Sequence, residues 1–321
     1  MFAVRMPGRS HAGPLPPLTE GQREVREALR RHVEHLAGTI GERNVWKPEA
    51  LAAAADYVDR SFDPAYRRDR PAFEASGRTF RNVEAERTGG PKVVVVGAHY
   101  DSVPECPGAN DNASGVAVLL EVAHLLAPYA CAHTLRFVAF PNEEAPFFDT
   151  EAMGSLQYAR RCRARGEDVA AMLSLETLGC YRDEPGTQIY PMKLGALGYP
   201  TRGDFVAFVG NTASRRLVRS AISTFRATTP FPSEGLAAPP WVPGIGWSDH
   251  AAFWRHDYPA VMVTDTAPFR YPQYHTPEDT PDRLDYERLA RVTCGVARVV
   301  ADLAGANLAS SPKGVLAPDK Y

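Results

Sequence analysis

Strand-like and helix-like segments alternate along most of this 321-residue chain, and this alternation constrains its fold more than any other feature. The clearest strand is the run of four valines at 93–96, which has the continuous apolar character of a strand buried on both faces. Further strands are predicted at 134–140, 172–175, 205–209 and 259–263, and helices at 116–126, 154–165, 215–225 and 286–303. Such alternation predicts an α/β fold, in which one domain holds a mostly parallel mixed sheet flanked by helices on both faces.

The segments outside this alternation divide the chain. Residues 1–18 are rich in Pro, Gly and Arg, and they predict a flexible N-terminal arm. The domain then spans 19–305, with a helix capped at Thr19, a second helix that opens at Pro48 and a hairpin over 73–87. The long stretches 177–204 and 227–250 are predicted as loops that wall a pocket, and 306–321 as a C-terminal tail.

Composition excludes several classes of function. Lys and Arg number 36 against 38 Asp and Glu, so the formal charge of −2 argues against a nucleic-acid partner. The apolar runs are too short for a membrane helix or a secretory signal, so we expect a cytoplasmic protein with no membrane partner, or a secreted or periplasmic one if a leader was removed. The five cysteines lack CxxC spacing, which disfavours a thiolate zinc site. The sequence leaves the oligomeric state open.

Polar residues follow the predicted strands at the edge where an open α/β sheet binds its ligands. They supply two histidines and an excess of carboxylates: His99, Asp101, Asp111, Glu143, Glu144, Glu176 and His275. Carboxylates gathered at one point repel one another unless a cation joins them. Imidazole with carboxylate, and without thiolate, suits Zn²⁺ well, and Co²⁺ or Mn²⁺ less well.

Local spacing separates two roles within this set. His99 and Asp101 lie two apart on an extended segment, so Asp101 can accept a hydrogen bond from the His99 ring and orient it. Adjacent Glu143 and Glu144 point in different directions, so one can bind metal while the other moves protons. Taken singly, these residues have ordinary explanations: Asp111 could cap a helix and Glu176 could form a buried ion pair. Their occurrence together favours a metal site.

Seven motifs resemble those of one enzyme family. They are GAHYDSV, PGANDNASGVA, FPNEE, MGS, LSLETLG, SDHAAFW and YHTPEDTPDRLD, and the N-terminal text LAGTIGERN belongs with them. Together they resemble the co-catalytic dizinc aminopeptidases of clan MH, whose relatives include the glutaminyl cyclases and glutamate carboxypeptidase II. The resemblance runs from about residue 20 to about 303 and implies the zinc-exopeptidase fold, which is phosphorylase/hydrolase-like.

The resemblance also implies the ligands of two zinc ions. His99 and Glu176 would bind one ion, Glu144 and His275 the other, and Asp111 would bridge them. Glu143 would be the general base, and Asp101 the partner that orients His99. One position departs from the family pattern, because better-known members more often carry Asp where this chain has Glu176. The longer side chain would alter the geometry of that zinc site.

The function implied is a zinc exopeptidase. It would act as an aminopeptidase on peptides with a free N-terminus, through a hydroxide held by the metals. Residues expected near the substrate are Tyr271, Tyr274, Trp247, Asp249 and His250, and either tyrosine could stabilise the oxyanion. Two alternatives stay open: a glutaminyl-peptide cyclotransferase that uses a single zinc ion, and a non-catalytic binding module on the same fold.

Overall fold

The computed structural model describes residues 5–191, 198–308 and 315–316. Its α-helices are α1 (Glu20–Val33), α2 (Pro48–Ser61), α3 (Gly115–Leu126), α4 (Gly154–Ala164), α5 (Arg215–Thr228), α6 (His250–Trp254) and α7 (Tyr286–Ala304). Its strands are β1 (Arg67–Asp69), β2 (Ala72–Ala75), β3 (Arg78–Arg81), β4 (Val83–Arg87), β5 (Gly90–His99), β6 (His133–Phe140), β7 (Asp168–Glu176), β8 (Val206–Asn211), β9 (Ser233–Ala238) and β10 (Ala260–Thr264).

Eight of these strands form one sheet in the order β1-β4-β6-β5-β7-β10-β8-β9. The centre is parallel, because β5 runs parallel to β6 and β7, and β7 runs parallel to β10. The antiparallel pairs are β1 with β4, β4 with β6, and β8 with β10. The predicted single-domain α/β fold with a mostly parallel mixed sheet is confirmed.

The valine run of β5 is buried on both faces of the sheet. Val94 and Val96 lie in the core that includes side chains of α1, α3 and α7. Val93 and Val95 point the other way and pack in a second core with α4 and α6. Since successive strand residues face opposite sides, a strand covered by helices on both faces needs a continuous apolar run.

Most predicted boundaries are close to the observed ones. Each strand and helix predicted after residue 92 corresponds to an observed element, and no end differs by more than four residues. At the start of α1, Thr19 and Gln22 exchange side-chain to backbone hydrogen bonds, which is the predicted capping box. Helix α2 begins at Pro48, whose fixed φ suits a first turn.

Two predictions of local structure need correction. The stretch 227–250, predicted as a loop, contains the edge strand β9, which pairs in parallel with β8. Its sequence SEGLAA has no β-branched residue, so pairing with β8 overrides a weak local propensity. The hairpin predicted over 73–87 is confined to β2 and β3, because β4 leaves it and pairs with β1 and β6 in the main sheet.

The described part of the arm lies along α5 and β9. The Ser233 N–H at the start of β9 donates to Ser10 Oγ at 2.8 Å, and Arg226 of α5 donates to the carbonyls of Pro7 and Gly8. The flexibility of the arm stays a prediction. Residues 1–4, 192–197 and most of the tail after 308 lie outside the described residues. Among the described helices, none is both long and apolar enough to cross a membrane.

Arg136, in the middle of β6, joins the buried carboxylate of Glu86 to the partly buried carboxylate of Glu167. Its Nε lies 2.7 Å from Glu86 Oε2, and its Nη1 lies 2.5 Å from Glu167 Oε2. Burial works against ionised Glu86, but hydrogen bonds from Arg67 and Arg136 lower its pKa below the usual 4.5. This stabilisation is therefore complete above the unfolded pKa and is lost as the pH falls below it.

We expect Arg136→Met to lower the free energy of unfolding at pH 7 by more than about 1 kcal/mol but by less than the roughly 3–5 kcal/mol of a fully buried pair, because Glu86 keeps its contact with Arg67 and Glu167 keeps its contact with Arg165. Urea unfolding followed by circular dichroism measures this change. A loss below about 1 kcal/mol, the range of exposed ion pairs, would show that burial does not strengthen the ion pairs of Arg136 with Glu86 and Glu167.

Candidate metal centre

Five ionisable side chains gather where the carboxyl ends of the central strands meet. His99 is the last residue of β5, and Glu176 is the last residue of its neighbour β7. Asp111 lies in the segment before α3, Glu144 follows β6, and His275 lies in the loop after β10. The tertiary structure therefore brings together the five residues that the sequence predicts as metal ligands.

Asp111 stands between the two histidines and faces each with a different oxygen. Its Oδ1 lies 3.2 Å from His99 Nε2, and its Oδ2 lies 3.0 Å from His275 Nε2. Glu176 Oε2 lies 3.4 Å from His99 Nε2, and Glu144 Oε1 lies 3.4 Å from His275 Nε2. The result is two triads of donor atoms, His99–Asp111–Glu176 and Asp111–Glu144–His275, that share one carboxylate.

The donor atoms fit a small tetrahedral cation such as zinc. Ligand atoms about 2.0 Å from a tetrahedral zinc ion stand about 3.3 Å apart, which matches the histidine-to-carboxylate distances in each triad. Both ring nitrogens of His99, Oδ1 of Asp111 and Oε1 of Glu144 are buried and lack a hydrogen-bond partner among the described residues. Because such atoms are costly to bury, a cation bound to them would remove that cost.

The charges in the cluster do not balance by themselves. Burial and the nearby Asp111 raise the pKa of Glu144 to about 7, and burial raises the pKa of Glu143 well above its usual range. Burial disfavours charged His275, yet its contacts with Asp111 and Glu144 raise its pKa to about 10. Without a cation, these carboxylates are harder to ionise than isolated ones. A divalent cation would offset their repulsion.

Asp101 supports the site through the backbone of the two glutamates. Its Oδ1 accepts the N–H of Glu143 at 3.2 Å, and its Oδ2 accepts the N–H of Glu144 at 3.1 Å. The same Oδ1 lies 3.4 Å from His99 Nδ1, so the two side chains face each other as their spacing predicts. The contacts of Asp101 with the glutamate backbone were not predictable from sequence spacing, because they join segments that are distant in the chain.

Glu143 is buried beside the two triads but belongs to neither. Its Oε2 lies 3.9 Å from His99 Nε2, farther than the oxygens of Asp111 and Glu176. Glu143, Glu144 and His99 also approach one another closely enough to form a third candidate cation group. The larger distance favours a role for Glu143 other than that of a ligand.

Two further supports were not assigned from the sequence. Asp279 accepts the N–H of Asn110 at 2.8 Å and that of Asp111 at 3.1 Å, and the Tyr271 hydroxyl donates to it at 3.0 Å. Ser248 Oγ donates to Glu176 Oε2 at 2.5 Å. The only sequence signal for Asp279 and Ser248 was their position in the motifs YHTPED and SDH. These motifs do not show which residues the two side chains contact.

A cavity of about 100 Å³ opens beside the triads. Glu176 and Tyr274 form part of its wall, and the Tyr274 ring stacks on His275 with the ring centres 3.8 Å apart. Most of the remaining wall is apolar and includes Phe205, Leu236, Ile245, Trp247, Met262 and Phe269. Of the five residues predicted to be near the substrate, Tyr274 and Trp247 therefore line this cavity.

The other three predicted residues do not line the cavity. Tyr271 is held by its hydrogen bond to Asp279. Asp249 and His250 are fully buried at the start of α6. His250 Nε2 donates to the carbonyl of Ile245 at 2.7 Å, and burial lowers the pKa of His250 to about 4. His250 thus holds the backbone of Ile245, which lines the cavity.

Known proteins share both the sequence pattern and the fold. The profile of Peptidase family M28 matches residues 82–300. Uncharacterized protein YfbL of Escherichia coli (strain K12) is 37% identical over 281 residues, which are 84% of this chain and 86% of that protein. Aminopeptidase YwaD of Bacillus subtilis (strain 168) is 28% identical over 204 residues, which are 62% of this chain and 38% of that protein.

Two solved structures have a similar fold. BSAP, a zinc aminopeptidase from Bacillus subtilis, superposes with a TM-score of 0.62 at 16% identity, over 90% of this chain and 96% of that one. Fimbriiglobus ruber glutaminyl cyclase also superposes with a TM-score of 0.62, at 19% identity, over 90% of this chain and 99% of that one. Since the family profile spans more than half of the sequence, this chain belongs to Peptidase family M28.

Proposed function

We propose that this chain is a zinc-dependent exopeptidase that removes the N-terminal residue from peptides. The observation that carries the proposal is the pair of triads that share Asp111 and border an apolar cavity. His99, Asp111 and Glu176 would hold one zinc ion, and Asp111, Glu144 and His275 a second. Bound zinc would acidify water and polarise the carbonyl of the substrate. The same donors accept Co²⁺ or Mn²⁺ as substitutes.

We assign proton transfer to Glu143. Its carboxylate is buried beside His99 and outside the two triads, and burial raises its pKa. A raised pKa suits a group that accepts a proton from the attacking water at a carboxylate oxygen and returns it to the leaving amine. Asp101 holds the N–H of Glu143 and so fixes the point from which this side chain extends.

The structure favours Tyr274 over Tyr271 as the oxyanion donor. The Tyr271 hydroxyl is engaged with Asp279, whereas Tyr274 stacks on His275 and lines the cavity. A phenol O–H aimed at the developing charge would stabilise the tetrahedral intermediate.

A hydrogen bond holds the side chain of Glu176, which is longer than the Asp that the resemblance leads us to expect at this position. The Ser248 hydroxyl donates to Glu176 Oε2, the oxygen that faces His99. This hydrogen bond restrains the longer side chain, and it supports the assignment of Glu176 as a ligand.

The excess of carboxylates supports a preference for substrates with a free N-terminus. An α-ammonium group is attracted to the acidic cluster, and the neighbouring cavity can bury the first side chain of the peptide. Since the wall is mainly apolar, we expect large apolar N-terminal residues to be preferred.

We expect the zinc-loaded protein to cleave Leu-p-nitroanilide at least about 10-fold more efficiently than Ala-p-nitroanilide, because each added methylene gains burial in an apolar pocket. N-acetyl-Leu-p-nitroanilide should resist cleavage. Ala207 lines the cavity, and Ala207→Phe should reduce the preference for Leu while the Ala substrate is still cleaved. Efficient cleavage of the acetylated substrate would reject aminopeptidase action.

The second candidate is a glutaminyl-peptide cyclotransferase, favoured by the similar fold of the Fimbriiglobus ruber enzyme. It would close an N-terminal Gln to pyroglutamate and use one zinc ion. Two complete triads support hydrolysis with two ions. Zinc content per chain, together with mass spectrometry of the products from Gln-peptides, distinguishes the two activities.

A further inference from the structure

Arg43 is a fully buried cation bound by backbone carbonyl oxygens. Its Nε donates to Tyr100 O at 2.7 Å, and its Nη2 donates to Gly108 O at 2.8 Å. Its Nη1 donates to Gly41 O at 3.1 Å and to Pro107 O. The guanidinium therefore joins three separate pieces of chain: its own segment, the end of β5 and the loop before Asp111.

The first set of contacts holds the two residues on either side of Asp101 in the chain. Tyr100, the residue before it, is held through its carbonyl. Ser102, the residue after it, donates its N–H to Arg43 O at 3.0 Å, and its Oγ accepts the Arg43 N–H at 3.2 Å. Both neighbours of Asp101 are thus fixed to Arg43, which sets where the Asp101 carboxylate meets the two glutamates.

The second set of contacts fixes the turn that leads to Asp111. Gly108 has φ of +61°, and a Cβ there would collide with the carbonyl of Asp111. Only glycine suits this conformation, and its carbonyl is the one that Arg43 Nη2 binds. The same carbonyl also accepts the N–H of Ala113 at 3.1 Å. Arg43 therefore anchors the start of the turn from which Asp111 projects.

The positive charge of Arg43 is opposite to that of the carboxylates around it. The carboxylates that act on its guanidinium are those of Asp101, Asp279 and Asp111, which all belong to the site or its supports. A permanent guanidinium charge behind these groups reduces their mutual repulsion. An apolar side chain of similar size would remove both the charge and the hydrogen bonds.

We infer that Arg43 is a positioning residue that holds the segments of Asp101 and Asp111 at the spacing that the two triads require. The inference rests on the proposed metal site. It also gives a role to the LAGTIGERN text, which the proposed chemistry leaves without one.

The test compares wild type, Arg43→Met and the control Arg136→Met, which removes a buried arginine far from the site. In Arg43→Met, zinc affinity measured by chelator competition should fall about 10–100-fold, the usual cost of losing a residue that supports a ligand. Hydrogen exchange of residues 100–111 in zinc-free protein should become faster. Arg136→Met should lose stability but keep wild-type zinc affinity and wild-type exchange over 100–111. Arg43→Lys, with its charge kept, should lie between wild type and Arg43→Met.

Each outcome is decisive. If the wild-type protein binds no zinc, the proposed function is rejected. Wild type that binds zinc normally, with Arg43→Met equal to it in affinity and exchange, overturns this inference alone. Equal losses in Arg43→Met and Arg136→Met would also overturn it, since general destabilisation would then explain both. If Arg43→Met does not fold, Arg43→Lys and Ser102→Ala are judged by the same two measurements, and wild-type values in both overturn the inference.

Discussion

Glu143→Gln is expected to remove most hydrolysis while zinc binding stays intact. The amide cannot accept a proton, and a positioned general base contributes about 10²–10⁴-fold, so kcat should fall by about 10³-fold. Zinc affinity should change little, because Glu143 lies outside the two triads. Turnover of Leu-p-nitroanilide and zinc content by mass spectrometry measure the two effects separately.

Glu144→Gln is the matched control for this experiment. It makes the same chemical change one residue away, in a side chain that lies 3.4 Å from His275 Nε2. We expect this variant to lose zinc affinity as well as turnover. Near-normal turnover in Glu143→Gln would show that Glu143 is not the base. Loss of zinc in that variant would instead make Glu143 a ligand within its group with His99 and Glu144.

Asp111→Asn should have the largest effect on zinc binding, because both triads depend on this carboxylate. An amide can offer one oxygen but not two, so at least one zinc ion should be lost. Turnover should fall by more than the roughly 100-fold typical of an outer supporting residue. Zinc at about 100 times its dissociation constant stabilises a folded protein by about 2.7 kcal/mol per site. This gain should shrink in the variant, as measured by thermal unfolding with and without zinc.

Glu84→Gln is the control for Asp111→Asn. Glu84 is a buried carboxylate on β4 that accepts the Tyr158 hydroxyl at 2.6 Å and belongs to neither triad. Removing its charge should leave zinc content and turnover unchanged. If Asp111→Asn keeps two zinc ions with wild-type stabilisation, the shared-carboxylate arrangement is wrong.

The fold was predictable where local pattern and tertiary environment agree. The valines at 93–96 indicate a strand buried on both faces, and they fill both cores. Thr19 and Gln22 indicate a helix start through contacts only three residues apart. Strand β9 was not predictable in this way, because its small residues become a strand only through pairing with β8.

The site was predictable to a similar degree. Residue types and strand ends were sufficient to place His99 and Glu176 at the same edge of the sheet, since both end predicted strands. Their pairing at one zinc ion came only from the family resemblance. Local pattern could not choose between Tyr271 and Tyr274 as the oxyanion donor. The choice depends on the hydrogen bond between Tyr271 and Asp279 and on the position of Tyr274 in the cavity wall. It could not assign Arg43 either, since that role depends on contacts with Tyr100 and Gly108.

The sequence by itself determined the order of strands and helices and the set of nitrogen and oxygen donors at the strand ends. Periodicity controls local conformation, and side-chain chemistry controls what a residue can bind. The tertiary structure alone decided that the two oxygens of Asp111 divide between His99 and His275. It alone decided that Asp101 holds the glutamate backbone and that Arg43 joins the loops. These are distances between remote segments, and only the packing of sheet and helices sets them.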